Sequence, residues 1–513
     1  MFKGLMWKIL LLFAFFCCEG DSSDCVPRNF GPNRIVCVCN ATYCDDTPDN
    51  NPVVPAQGSF YWYVSSRAGL RMRLSKGQVD TCNARNDSRV VLNIDTTQRY
   101  QSIFGFGGAF TDSAGINIKK LSKATQDQLL RTYFDRGGSR YLIGRIPIAG
   151  TDVSTRAYSY DNYENDVTLE HFALAPEDYE YKIPLIRRAL ELNPELKFIS
   201  AVWSPPAWMK TTEKLKAPFS FLKLDCYQLL VDYMIKFLAE YKKNGIDMWA
   251  ITTGNEPTMG YSRKPRQNNL AWTPSDMGTW IVNNLGPTLR ASEFNETLIV
   301  ALDDQRMELP WSIQLTFLIK GASDYVSGIG VHWYTDFFSS PVLLDETHDY
   351  FPDKFLLMTE ASVVDLSPEV VALGSWFRGE LYFASIIEYV NHWSIGWVDW
   401  NLALDRSGGP SWTKNYIDAA IIVEPDTDEF YKQPTYYAIK HVSRFVDRGS
   451  VKVSIDETDS IKAAAFVTPL DQVVVVIFNN NSHPTNVELQ DKMRHSICLE
   501  LPARSFNTVI YAA

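Results

Sequence analysis

Histidine is scarce in this chain of 513 residues: there are seven, scattered along its length, and His332 alone ends an apolar, β-branched run. A metal centre built on clustered imidazoles is therefore not expected. Basic residues are in the minority, 49 Lys and Arg against 60 Asp and Glu for a net charge of −11, which excludes a nucleic-acid binder relying on phosphate neutralisation. No H-E-x-x-H and no G-x-S-x-G occurs, and GFGGAF fails G-x-G-x-x-G at its last position, so zincin, serine-hydrolase and dinucleotide-binding readings lapse. Low-complexity tracts are also missing. What remains is 46% hydrophobic and 21% charged, the composition of a protein that buries a large core, and disorder is excluded. The 14 Trp, 25 Tyr and 28 Phe exceed what packing requires, and aromatic faces are a common platform for sugar rings.

Residues 1–20 read as a secretory signal peptide: Lys3 and Lys8 flank or enter an apolar run whose uninterrupted part, Ile9 to Cys18, is half of the roughly 20 residues a bilayer span needs. Of nine cysteines, Cys17 and Cys18 fall within it. Cys25, Cys37, Cys39 and Cys44 crowd together and, in a secreted chain, form a small disulfide knot; three pairings are open. A zinc site is the competing reading, and the C-x-C spacing without a nearby His speaks against it. Cys82, Cys226 and Cys498 are left as unpaired, packed thiols. Glycosylation sequons stand at Asn40, Asn86, Asn295 and Asn480.

From about residue 100 to 450, short β-branched runs alternate with helix-period segments. The strands are expected at 102–110, 141–149, 197–203, 248–255, 297–303, 326–333, 355–359 and 395–401, with helices such as 122–135, 179–192, 224–243 and 375–392 between them. Eight βα units make an α/β fold, a (β/α)8 TIM barrel, with an open doubly wound sheet as the competing arrangement. The flanks 53–98 and 446–513 are β-rich and are expected to pair into one antiparallel β-sandwich domain. The chain thus divides into a signal peptide (1–20), a disulfide-rich segment (21–52), the sandwich, and the barrel (99–445).

Barrel chemistry sits at the C-terminal strand ends. Glu256 ends the fourth strand in TTGNEP and Glu360 ends the seventh in LLMTEAS, three units apart, on opposite sides of one mouth. Retaining glycoside hydrolysis needs such a pair, one carboxylic acid to protonate the leaving oxygen and one carboxylate to attack, about 5–5.5 Å apart. Asn255 beside Glu256 is placed for a sugar hydroxyl, and Arg145, at the end of the second strand, would lower the pKa of whichever carboxylate it pairs with, Glu360 being one candidate.

GFGGAFTDSA, GRIPIAGTDVS, WSPPAWMK, GNEPTMG, LDDQR, VHWYTDF, TEAS, GWVDWNLAL and FYKQPTYYAIKHVSRF together resemble the lysosomal glucosylceramidases of glycoside hydrolase family 30. The resemblance implies a retaining β-glucosidase with Glu256 as acid/base and Glu360 as nucleophile. It implies glucose binding by Asp152, Trp203, Asn255 and Trp400, further lining by Tyr334 and Asn415, and support of the nucleophile by Arg145. It implies Cys25–Cys37 and Cys39–Cys44 bridges, no metal or other cofactor, and glucosylceramide cleaved on anionic lipid membranes in lysosomes with a saposin-C-like activator. Trp203 and Trp400 would offer flat faces to the sugar, and Asp152 would accept from its hydroxyls. The sequence departs from the family pattern after Gly260, where YSRKPRQNNLAW is shorter, more basic and without an aromatic near Gln267. Two other readings compete: a related glycosidase for another sugar, such as a β-xyloside, and a glycolipid carrier without turnover.

Overall fold

Strands whose two faces are both apolar can be stable only when covered on both sides, and here they close on themselves. In this computed structural model, which describes residues 24–45, 54–79, 82, 89–363, 369–492 and 496–513, eight parallel strands form a closed barrel. They are β1 (Gly105–Ala109), β2 (Ile143–Ile148), β3 (Lys197–Val202), β4 (Met248–Thr252), β5 (Leu298–Gln305), β6 (Val326–His332), β7 (Phe355–Ala361) and β8 (Ser394–Asn401). Ile143, Ile199, Ala250, Val300, Leu357 and Val398 fill the interior, one from each of six strands, and Phe104, Trp249 and Phe355 pack against them from the N-terminal side. The barrel is thus a packed core whose C-terminal rim is left for chemistry. Glycine is required where strands crowd: a Cβ on Gly107 would lie 1.8 Å from the Ile143 carbonyl oxygen. The open doubly wound sheet is excluded by this closure.

The helices fall where the periodicity places them, with two local differences. The segment expected as one helix from 179 opens with a π-turn (Asp178–Lys182) before the α-helix Ile183–Leu192, and Leu224–Cys226 is a 3₁₀ turn leading into Tyr227–Lys243. Pro184 accounts for the first: it has no N–H to donate to an i−4 carbonyl.

The two flanks meet in a nine-stranded sheet with its own core of Leu92, Ile94, Val475, Val487 and Val509, among others. Ser59–Ser66 pairs antiparallel with Ser505–Ala512, and Val90–Ser102 with Val451–Ile455. One pair departs from the antiparallel expectation: Thr485–Asp491 runs parallel to Val90–Ser102. A third sheet joins Pro27–Asn29 and Ile35–Asn40 to Glu429–Lys432, so the cysteine-rich segment is woven into the part of the barrel domain that follows β8. Buried Lys432 pairs with Asp45 at 2.7 Å, and the Tyr437 hydroxyl donates to Asp45 at 2.5 Å.

The bridges Cys25–Cys37 and Cys39–Cys44 are present. Cys82 and Cys498 correct the reading of unpaired thiols: they are bonded to each other across 416 residues of sequence. That pairing was hidden because only the sheet brings the two flanks together. Cys226 is free and buried. Asn40, Asn295 and Asn480 lie among the described residues, the last two exposed. The expected signal peptide and Asn86 lie outside them. No helix is long and apolar enough to cross a membrane among the described residues.

Candidate active site

At the rim, Glu256, His332 and Glu360 converge: one carboxylate oxygen of each glutamate and one ring nitrogen of the histidine all lie within 4.8 Å of one another, and all three side chains are buried. Backbone strain helps to place them. Glu256 sits in the left-handed region at φ 45°, and its N–H donates to the Asp303 carbonyl at 2.9 Å. At the end of β5 the register slips between Leu302 and Asp304, with φ of 71° at Leu302 and 54° at Asp303. Such conformations cost about 1–3 kcal/mol each for non-glycine residues and persist only where the surroundings enforce them.

Asp303 is the hub. Its Oδ2 accepts from Arg145 Nη2 at 2.9 Å, and its Oδ1 accepts from His332 Nε2 at 3.0 Å and from the Thr359 hydroxyl at 2.6 Å. Burial opposes its charge, but Arg145 and His332 outweigh that and hold the carboxyl well below its ordinary value. Arg145 also donates to Asn255 Oδ1 at 2.8 Å and to Glu360 Oε2. Glu360 Oε1 accepts from the Tyr334 hydroxyl at 2.9 Å. Burial raises the Glu360 carboxyl; Arg145 and His332 pull the other way, in the direction expected from sequence, without reversing the shift. The expected lowering by Arg145 is therefore present but is not the net result, because complete burial costs the charged form more.

His332 faces acceptors on both ring nitrogens, Glu256 Oε1 at 3.0 Å and Asp303 Oδ1 at 3.0 Å. A carboxylate can only accept, so this geometry calls for the imidazolium. Burial opposes that charge, yet Glu360, Asp303 and Glu256 lift its pKa to about 10. Two cations, Arg145 and His332, thus face three carboxylates. Glu256 has two more partners: Gln267 Nε2 donates to Oε2 at 2.6 Å and Gln305 Nε2 to Oε1 at 2.8 Å.

The remaining expected residues gather around this pair. Asp152, after β2, accepts from Asn415 Nδ2 at 2.8 Å, and burial raises its pKa to about 7. Asn255 leaves its Nδ2 buried and, among the described residues, without a partner, a donor free for a ligand. Trp203 and Trp400 stack at 5.0 Å with 19° between planes, and the Arg145 guanidinium lies 4.8 and 5.3 Å from their centroids. They are 1% and 2% exposed, so one face of each is taken by the other and what they offer a sugar is chiefly an edge.

The sequence puts His332 and Asp303 at strand ends without giving either a role, names Gln267 only as a landmark of the loop after Gly260, and carries Gln305 only within the LDDQR motif. For Gln267 the signal lay in the departure after Gly260: in that shortened loop the glutamine itself reaches the glutamate.

The chain matches the glycosyl hydrolase family 30 TIM-barrel domain over residues 103–446 and the glycosyl hydrolase family 30 beta sandwich domain over 449–509. It is 38% identical over 499 residues to the lysosomal acid glucosylceramidase of Mus musculus, covering 96% of each chain. It is also 38% identical over 518 residues to a Caenorhabditis elegans chain assigned provisionally as glucosylceramidase 3, covering 98% of this chain and 99% of that one. Among solved structures, SrfJ from Salmonella typhimurium superposes with a TM-score of 0.82 at 26% identity, covering 89% of this chain and all of that one.

Proposed function

The chain belongs to glycoside hydrolase family 30, and on that premise we propose that it hydrolyses glucosylceramide to glucose and ceramide with retention of anomeric configuration. The observation that carries this reading is the approach of Glu256 and Glu360 within 4.8 Å, a separation that leaves room for a sugar carbon but not for a water between carboxylate and carbon.

In this reading Glu256 donates its proton to the glycosidic oxygen while Glu360 attacks the anomeric carbon; the carbon–oxygen bond to ceramide breaks and a glucosyl ester forms on Glu360. Glu256, now a carboxylate, takes a proton from water, whose oxygen attacks the same carbon, releasing glucose and restoring Glu360. Arg145 and the Tyr334 hydroxyl hold the nucleophile on both oxygens. Asn255 Nδ2, free while Oδ1 accepts from Arg145, donates to the sugar's 2-hydroxyl, and Asp152, oriented by Asn415, accepts from hydroxyls farther round the ring. Trp203 and Trp400 wall the site and fix the Arg145 fork.

Ceramide is a membrane lipid, so the substrate has to be taken from a surface. Phe337 and Phe338, three and four residues past Tyr334, are 92% and 83% exposed, and Arg263, Lys264 and Arg266 are exposed in the loop that ends at Gln267. Apolar and basic side chains beside the mouth suit peripheral binding to an anionic bilayer in the lysosome, where a saposin-C-like activator would present the lipid.

Glucose release from glucosylceramide in anionic liposomes at about pH 5 tests the reading, comparing the secreted protein with Glu360→Gln. The expected loss is at least about 10³-fold, typical of removing a catalytic carboxylate. Turnover that survives this substitution, or a wild type that cleaves aryl β-xylosides in preference to glucosides, would overturn it.

A further inference from the structure

Next to the segment that carries Glu256 lies a cavity of about 220 Å³ that takes no part in the chemistry above. Tyr261, Trp272 and Trp311 line it together with Pro257 and Met277, and Glu308 is its sole charged group. Glu308 is half-buried, and among the described residues no cation pairs with it and no donor bonds it. Trp272 is 4% exposed, and its indole Nε1 has no hydrogen-bond partner among the described residues.

A carboxylate partly withdrawn from water without a counter-charge is less well solvated than an exposed one, and a cationic ligand would offset that loss. The walls decide which ligand. A hard metal ion would need several oxygen donors, and this cavity offers one carboxylate and the hydroxyls of Thr258, Ser312 and Tyr261, of which Thr258 and Tyr261 are already engaged with Asp304 and the Trp272 carbonyl; the rest is rings and aliphatic carbon. A cation clothed in carbon suits both parts at once: its charge faces the carboxylate and the ring faces, while its methyl or methylene groups are buried against Tyr261, Trp272, Trp311 and Met277. We propose that this cavity is a second binding site, specific for an organic ammonium cation of the trimethylammonium or alkylammonium class, with Glu308 as counter-ion and Tyr261, Trp272 and Trp311 as aromatic walls.

Titration of the full-length protein with choline tests this, with 3,3-dimethylbutan-1-ol, its uncharged isostere, in parallel, read by tryptophan fluorescence and calorimetry. Choline is expected to bind saturably and at least about 10-fold more tightly than the isostere, the difference being the charge. Glu308→Gln should weaken choline at least about 10-fold and leave the isostere unchanged, and Trp311→Ala should weaken both. Hydrolysis of a soluble aryl β-glucoside by both variants serves as the check on folding, since neither residue contacts Glu256 or Glu360. Equal affinity for choline and the isostere, undiminished choline binding by Glu308→Gln, or no saturable binding up to ~100 mM choline overturns the proposal.

Discussion

His332 shows how one side chain can set the charge state of a whole site. Its ring bridges Glu256 and Asp303 at 3.0 Å each, and its raised pKa of about 10 keeps it cationic throughout the physiological range. Its positive charge lowers the Glu360 carboxyl, countering the burial that raises it. In His332→Gln the side chain can still hydrogen-bond but the charge is gone, so the Glu360 pKa must rise further. The acid limb of the kcat/KM profile, which requires an ionised nucleophile, is expected to move to higher pH, with kcat falling ~10²-fold as transition-state charge loses a partner. A pH profile on a soluble aryl β-glucoside reads both effects. A purely architectural histidine would lower activity without moving the limb.

The same site looks different at the scale of its strands. Asp303 can act as hub only because β5 kinks at Leu302 and Asp303 and because β6 passes close beside it at Gly330. A Cβ on Gly330 would come within 3.2 Å of both Asp303 Cα and Thr359 Oγ1. Gly330→Ala is therefore expected to displace Asp303 from Arg145 and His332 and to lower kcat at least about 10-fold, with a loss of stability of ~1–3 kcal/mol. Steady-state kinetics and thermal unfolding check the two parts. The eight strands and the two glutamates were legible in the sequence because β-branched runs and the N-E-P and T-E endings are local signals. What was hidden is relational: Cys82 with Cys498, Gln267 with Glu256, and the parallel pairing of Thr485–Asp491 each join segments far apart or depend on a loop's exact path. The net rise of the Glu360 carboxyl was likewise out of reach, since it balances burial against neighbours that no single motif contains.

For the whole molecule, buried titratable groups decide how stability follows pH. Burial raises Asp399 to about 8 and Asp152 and Asp336 to about 7, against an unperturbed 3.8. A carboxyl whose folded pKa lies above its unfolded value contributes stability that is complete below the unfolded value and lost as pH rises through the folded one. All three therefore favour the fold more as pH falls from 7.5 towards 5. His441 works in the opposite sense. Enclosed by Ser65 and Thr508 between the barrel's last helix and the nine-stranded sheet, it is depressed by burial and Lys440 to about 3, so its contribution is lost as pH falls below about 6.5. Lys210, lowered by burial to about 7, costs stability mainly above that value as pH falls towards it, and adds little below. Asp303 and Asp166 have lowered carboxyl pKa values and turn against the fold only as pH drops below the ordinary range of an aspartate. Asp304, raised by burial to about 7, and His332, raised to about 10, add to these three carboxyls and together outweigh His441 across this window, so the fold is tighter in mild acid than at neutrality. Thermal unfolding by calorimetry is expected to give a Tm at pH 5 at least about 2 °C above that at pH 7.5, with Asp399→Asn flattening the difference. A Tm that falls on acidification over the same window would mean that these carboxyls stay ionised in the folded protein, and that the chain is not built for an acidic compartment.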